Sequence, residues 1–387
     1  MNVIDTKLTN EEIKRYSRHL IMPEVGMKGQ QKLKGSSVLL IGAGGLGSPL
    51  GLYLAAAGIG HIGIVDFDVV DYSNLQRQVM YTTEDIGKSK AGISKERMQK
   101  MNPHIKITTY EVPFTAANAL EISEDYDIII DGTDNFPTRY LVNDVCVQTG
   151  KINIFGSVFR FDGQATVFAH KDGPCYRCLY PDPPPAGMVP SCSEGGVLGI
   201  LPGIIGIMQA TEAIKIITGE GKPLVGRLIN FDALDMKFKE LKIKKDPECS
   251  VCSPNPTITE LIDYEQFCGV SLHGVNVEDG DVELEISVDA VKEILDSGKK
   301  PYLLDVRTPE EAEICLLENS NVIPLAKLAS HLGEIPMDED VIVICKVGAR
   351  SRDAVRLLHG WGYKTVKSMK GGLDKWSEEI DTSMPRY

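Results

Sequence analysis

Apolar residues run unbroken through Ser37–Ile41 (SVLLI) and stop at Gly42, and apolar positions then recur with helical spacing from Leu46 to Ala57. The pattern predicts a buried strand, a glycine turn and a helix. A second β-rich run, Ile62 to Val65, ends in Asp66, and the alternation continues through an amphipathic stretch (Lys88 to Met101), a strand (Ile105 to Tyr110) and a buried strand (Asp127 to Ile130) closing on Asp131. Strands alternating with helices imply an α/β fold with a doubly wound, Rossmann-like parallel sheet. After Lys151 the pattern turns to the β-like runs INIFGSVF and GQATVFA, a Pro/Cys-rich segment from Pro174 to Ser193 and an apolar helix from Pro202 to Ile217. A second alternation follows near the end: helix Asp289 to Ser297, strands Tyr302 to Asp305 and Val341 to Ile344, helix Arg352 to Gly360, strand Val366 to Met369. Between the two, Glu278, Asp279, Asp281, Glu283 and Glu285 occur with no base among them, which reads as a solvated linker rather than an interaction tail. The expected organisation is a first domain over 1–268, an acidic linker over 269–285 and a small α/β domain over 286–387.

Length supports at least two cores, since 387 residues exceed the ~150 of a typical domain. Fifty-four acids against 41 bases give a net charge of -13, a field that repels phosphate and disfavours a general nucleic-acid or anionic-membrane binder. No run approaches the roughly 20 apolar residues of a spanning helix, and the first residues lack an apolar signal core, so a cytoplasmic protein is expected. Nine cysteines are too sparse for a disulfide scaffold, and their odd number points to metal or thiol chemistry.

Gly42, Gly44, Gly45 and Gly47 form a G-x-G-G-x-G turn directly after a strand and at the opening of a helix, where free amides and the positive dipole end hold phosphate. Asp66 stands where a carboxylate accepts from ribose hydroxyls, and this pair alone would favour NAD. Beyond it, Asp68, Asn74, Arg77, Gln78 and Lys90 crowd the loops after the second strand, and Asp134 and Asn135 follow the fourth. Loops leaving the carboxyl ends of parallel strands converge on one crevice. The cations Arg77 and Lys90 with the carboxylates Asp68 and Asp134 suit ATP with Mg2+ better than a dinucleotide.

With RYSRHL (Arg15 to Leu20), IGAGGLG, VDFDVVDYSNLQRQ, DGTDN, CYRC and SCSEGGVLG, residues 11 to 268 resemble the MoeB/ThiF type of ubiquitin-like-protein activating enzymes. The resemblance implies that Asp66 binds the ATP ribose, that Asn74, Arg77 and Lys90 contact phosphates, and that Asp134 organises magnesium. It also implies a homodimer in which Arg18 reaches the partner's nucleotide, a role its sequence setting on an amphipathic helix would not suggest. The reaction so implied is adenylation of the C-terminal glycine of a Gly-Gly-tailed carrier protein.

Cys175 and Cys178, with Cys249 and Cys252, are two C-x-x-C pairs seventy residues apart, and together they supply the tetrahedral thiolate set of a structural Zn2+ site. Redox pairs or buried thiols are the alternatives. A closed tetrathiolate keeps no open position, so the ion is expected to staple rather than catalyse.

Cys345-Lys346-Val347-Gly348-Ala349-Arg350 follows the strand VIVI and precedes a helix, a placement that aims amides and a helix N-terminus at the sulfur and favours thiolate or persulfide. With LLDVR (Leu303 to Arg307) and GGLDKW (Gly371 to Trp376), residues 286 to 387 resemble the rhodanese sulfurtransferase domain. Cysteine phosphatases place five residues between Cys and Arg, whereas four separate Cys345 from Arg350. The usual G-H-I-P-G-A segment is replaced by Ile314 to Asn321; Cys315 in it, like Cys146 and Cys268, reads as core. Cys192, in the polar, glycine-rich stretch Val189 to Gly196, reads as an accessible functional thiol.

Joined, the halves resemble MoeZ-like activating sulfurtransferases. The expected sequence is adenylation of a carrier tail, attack by a Cys345 persulfide charged by a persulfide or thiosulfate donor, and release of a thiocarboxylate, with Cys192 resolving the acyl disulfide and fusion raising local concentration. The rivals are an NAD-dependent oxidoreductase, a noncatalytic zinc-stapled scaffold, and a conjugating enzyme forming a thioester at Cys192.

Overall fold

The computed structural model describes residues 6–184, 195–268 and 284–387. The chain divides into two compact units, Met1–Leu272 and His273–Tyr387.

In the first unit, β1 (Ser37–Ile41), β2 (His61–Val65), β3 (Lys106–Tyr110), β4 (Ile128–Asp131) and β5 (Ile152–Phe159) are parallel, and β6 (Asp162–Phe168), β7 (Arg227–Asp232) and β8 (Lys237–Lys242) extend the sheet antiparallel, in the order β3-β2-β1-β4-β5-β6-β7-β8. Every residue of β1 and β2 is buried, because helices cover both faces of a parallel sheet and leave no side to alternate. Separate apolar clusters line the faces: Leu40, Leu50, Leu54, Met98 and Ile205 belong to one, and Leu39, Phe155, Tyr140, Phe168 and Tyr176 to the other. Strand order reverses between β1 and β4, the position at which such sheets open a crevice at their carboxyl ends.

Helix Leu201–Thr218 corrects one expectation, since its 18 residues are long and apolar enough to cross a membrane by length and composition. Half of it is buried in the unit. There Leu201 and Ile205 pack in the core, and the Gln209 amide donates to the carbonyls of Asp131 (2.6 Å) and Ile154 (3.1 Å), tying β4 to β5.

The second unit is a five-stranded parallel sheet, order β11-β10-β12-β13-β9, of β9 (Glu285–Ile286), β10 (Tyr302–Asp305), β11 (Ser320–Val322), β12 (Val341–Ile344) and β13 (Val366–Met369). Three of these strands match the hydrophobic pattern; β9 and β11 have two and three residues, too few to show a period. Glu285 is therefore not linker: it pairs with Ser368 in the sheet and meets Lys370 (3.7 Å) and Arg352 (3.8 Å). The linker acids before it lie outside the described residues.

Candidate functional site

The crevice forms where the glycine turn, the loop after β2 and the loop after β4 meet, and Gly42, Gly44, Gly45, Asp66, Asp68, Arg77, Gln78, Lys90, Asp134 and Asn135 all line it. Gly47 opens helix Gly47–Ala57 instead, and a Cβ there would fall 2.1 Å from the Gly42 carbonyl oxygen, so only glycine lets the chain turn this tightly. Asp66 Oδ2 accepts the Ala43 amide at 2.8 Å, and Oδ1 accepts that of Asp68 at 2.9 Å. Burial first, and the neighbouring Asp68 charge, raise the Asp66 carboxyl against these bonds and the Lys90 charge. The buried Lys90 Nζ meets Asp68 Oδ2 at 2.9 Å. Arg77 Nη1 donates to the Ser73 carbonyl at 3.0 Å, and Asn135 Oδ1 caps helix Phe136–Thr149 by accepting the Thr138 amide at 2.9 Å.

One expected member stands elsewhere. Asn74 Oδ1 accepts the Asp71 amide at 3.3 Å within its own turn and does not line the crevice, and Arg18 is exposed on helix Ser17–Leu20. Arg139, which the motifs did not mark, does line it: one turn into helix Phe136–Thr149, it donates through Nη2 to the Thr133 carbonyl at 3.2 Å. Its signal was a lone basic residue in the first turns of a helix that follows the DGTDN loop, a weak one.

The four expected cysteines come together. Cys175 Sγ lies 3.6 Å from Cys249 Sγ and 3.9 Å from Cys178 Sγ, and Cys178 Sγ lies 3.4 Å from Cys252 Sγ. Four sulfurs bound at ~2.3 Å to one tetrahedral ion stand about 3.8 Å apart, so the cluster fits a tetrathiolate site. The hydrogen bond with Cys175, foremost, and that with Cys252 hold the Cys178 thiol below its ordinary value against the pull of Cys249 and burial. Between the first two cysteines, the buried Arg177 meets Asp144 through Nε (3.0 Å to Oδ1) and Nη2 (2.9 Å to Oδ2), while Tyr264 donates to the same carboxylate at 2.9 Å. The knuckle is thereby anchored on helix Phe136–Thr149, which also borders the crevice.

In the second unit Cys345 directly follows β12 and is fully buried. Gly348, at φ +93°, turns its amide to Cys345 Sγ at 3.1 Å, and the Ser351 hydroxyl lies 3.4 Å away. The expected ring of amides is thus, among the described hydrogen bonds, one amide and one hydroxyl, and the loop closes over the sulfur. Leu373 and Asp374 donate their amides to the Cys345 and Lys346 carbonyls at 2.9 and 3.0 Å, so GGLDKW fixes the loop from behind. Asp305 and Arg307 of LLDVR form a buried pair at 2.6 Å, and Arg307 Nη2 also donates to the Cys315 carbonyl at 2.7 Å, binding the variant segment to the core. Arg350 places Nη1 and Nη2 each 2.7 Å from the Glu311 carboxylate. Cys315, Cys146 and Cys268 are buried as expected, and burial pushes Cys268 up to about 11. Cys192 lies outside the described residues.

Residues 16–251 match the ThiF family and residues 287–379 the rhodanese-like domain. The chain is 46% identical over 388 residues to the probable adenylyltransferase/sulfurtransferase MoeZ of Mycobacterium tuberculosis, covering 98% of this chain and 96% of that protein. It is 44% identical to the adenylyltransferase and sulfurtransferase MOCS3 of Culex quinquefasciatus (99% and 91% covered). It is 52% identical over 267 residues to the sulfur carrier protein adenylyltransferase of Thermus thermophilus (68% and 98% covered). Among solved structures, Escherichia coli MccB shares the fold at a TM-score of 0.58 and 23% identity, over 64% of this chain and 75% of that one. The glycine-turn crevice, the thiol loop and these two matches make the chain a member of the ThiF family that carries a rhodanese-like domain.

Proposed function

We propose that the chain adenylates the C-terminal glycine of a ubiquitin-like sulfur carrier and then converts it to a thiocarboxylate. The observation that carries this reading is the convergence of the glycine turn, Asp66, Arg77, Lys90 and Asp134 on one crevice, in a chain that also bears the Cys345 loop. A carrier carboxylate attacks the α-phosphorus of ATP, a P–O bond forms, and the bond to the β-phosphate breaks to release pyrophosphate. Both reactants are anions, so Arg77 and Lys90 reduce their repulsion while the turn amides hold the phosphates in line; Asp134 would hold a magnesium ion, which would supply further charge neutralisation. The Lys90–Asp68 pair supports this reading: the ammonium has a carboxylate partner that it can exchange for phosphate.

In the second step the terminal sulfur of a Cys345 persulfide attacks the acyl-adenylate, AMP leaves, and an acyl disulfide forms. Cys192 thiolate then attacks the Cys345 sulfur, so a Cys192–Cys345 disulfide forms as the thiocarboxylate leaves, and an external dithiol restores both thiols. Because Cys345 is buried, its loading with sulfur by a persulfide or thiosulfate donor requires its loop to open. The Cys175, Cys178, Cys249 and Cys252 set takes zinc in a structural role. Arg18, exposed on its own unit, acts across a homodimer on the partner's nucleotide. An adenylating domain over 1–268, a following acidic linker and a sulfurtransferase domain to 387 divide this work, in the reducing cytoplasm that free thiols need. The nicotinamide and conjugating alternatives find no support among the relatives.

Cys345→Ala separates the two steps. The variant is expected to keep carrier-dependent ATP/pyrophosphate exchange and to form no thiocarboxylate, read by intact mass of a Gly-Gly-tailed carrier. Equal thiocarboxylate from the variant defeats the proposal.

A further inference from the structure

Tyr81 stands behind the glycine turn, 5% exposed, and does not line the crevice. Its hydroxyl oxygen lies 2.7 Å from the Ala43 carbonyl oxygen, 3.0 Å from Ser94 Oγ and 3.3 Å from the Lys90 carbonyl oxygen. A phenol has one proton to donate. The shortest contact assigns it to Ala43, which leaves the Tyr81 oxygen to accept from Ser94. One hydroxyl therefore joins the middle of the glycine turn to helix Lys90–Met101, whose first residue reaches the crevice.

What the bond does follows from the peptide it holds. The Ala43–Gly44 peptide is trans, and in a trans peptide the C=O and the N–H point in opposite directions. Ala43 and Tyr81 belong to the same apolar cluster, so the carbonyl is drawn back into the core. The Gly44 amide is thereby turned the other way, to the side on which Gly44 lines the crevice. Among the described hydrogen bonds that amide has no acceptor. Rotating this peptide, through ψ of Ala43 and φ of Gly44, would set a carbonyl oxygen against the phosphates in place of a donor. Glycine, having no Cβ, does not resist that rotation. The Tyr81 hydroxyl does, with Ser48 Oγ a longer second hold at 3.3 Å from the same carbonyl.

We propose that Tyr81 is a positioning residue for the phosphate end of the crevice: by holding the Ala43 carbonyl it keeps the Gly44 amide aimed at the nucleotide's phosphates. The assignment rests on reading the crevice as an ATP site and names a residue outside it that sets its grip. No proton leaves Tyr81, and burial pushes its hydroxyl well above the ordinary phenol range, so the donor persists at any working pH. The competing explanation is that the hydroxyl only satisfies a buried carbonyl and knits the core, which would make it indifferent to what the ligand carries.

Adenosine separates the two, because it has the base and the ribose but no phosphate. Tyr81→Phe keeps the ring and its packing and removes only the bond. In the full chain, binding of MgATP and of adenosine is measured by calorimetry alongside thermal melting. Tyr81→Phe is expected to melt within about 5 °C of wild type, and to bind ATP about ten-fold more weakly, the worth of one well-aimed hydrogen bond to a charged group. Its adenosine affinity is expected to stay within about two-fold of wild type. Tyr81→Phe combined with Ser94→Ala strands no serine hydroxyl; it is expected to show the same ATP-selective loss, and it carries the test if the single variant does not fold. Unchanged ATP affinity, or an equal loss for ATP and adenosine, overturns the assignment alone. A wild-type chain that binds neither ligand overturns the reading of the crevice as an ATP site, and this role with it.

Discussion

Arg350 and Glu311 face each other fork to fork, both guanidinium nitrogens 2.7 Å from the carboxylate, and Tyr387 donates its hydroxyl to the same carboxylate at 2.9 Å. The sixth residue of the thiol loop is thus clamped to helix Pro309–Ile314, outside the loop. Burial alone would raise the Glu311 carboxyl; the Arg350 guanidinium, the Thr308 amide and the Tyr387 hydroxyl outweigh it and hold the group down at about 2, from an ordinary 4.5.

A depressed carboxyl stabilises the fold above its unfolded value, and that stability is lost as pH falls through the folded value. The Glu311 contribution is therefore complete above about pH 5 and drains away between pH 4.5 and 2. Glu311→Gln is expected to cost about 2 kcal/mol at pH 7, after discounting for partial exposure, and the gap from wild type narrows as pH falls below 4.5. Both tryptophans of the chain, Trp361 and Trp376, lie in the second unit, so their fluorescence follows its unfolding in the full protein. A gap of constant size from pH 7 to 3 contradicts the assignment.

Arg77→Ala tests the phosphate end of the crevice. Loss of one preorganised cation from a phosphoryl-transfer site costs about a hundred- to a thousand-fold in rate. Carrier-dependent exchange is expected to fall by that much while circular dichroism and the melting profile stay those of wild type. Unchanged exchange removes Arg77 from the site.

Metal analysis of protein purified without added zinc is expected to give about one zinc per chain. Cys249→Ser is expected to abolish stoichiometric binding and destabilise the first unit, leaving the tryptophan-reported transition of the second unit in place. A metal-free chain whose first unit still unfolds cooperatively at the wild-type temperature would contradict a structural ion.

Arg177 and Asp144 are both wholly buried, and the guanidinium also lies over the rings of Tyr140 and Phe267, 4.7 and 4.6 Å from their centroids. Arg177→Met strands a buried carboxylate and is expected to destabilise the first unit by about 3–5 kcal/mol. Adding Asp144→Leu is expected to recover most of the loss, because the apolar pair fills the space without a stranded charge. Additive losses in the double variant would show that the two residues do not act as a pair.

The local signals were strong where chemistry is local. A fully apolar run predicts a buried parallel strand, a glycine whose Cβ would strike the Gly42 carbonyl can only be a tight turn, and two C-x-x-C pairs announce a thiolate site. From these the sequence by itself determined the α/β class, the glycine turn, the succession of the main strands along the chain, the paired metal-type cysteines and the position of Cys345 at a strand end. Only the tertiary structure decided which groups meet across distance. It drew Asn74 into its own turn and brought Arg139 into the crevice; it also made a strand of Glu285 and bound Arg350 to Glu311, 39 residues earlier. The reason is physical: a side chain's neighbours in a packed core are set by strand order and helix placement. Those are fixed by the burial of the whole chain, which no short window of residues records.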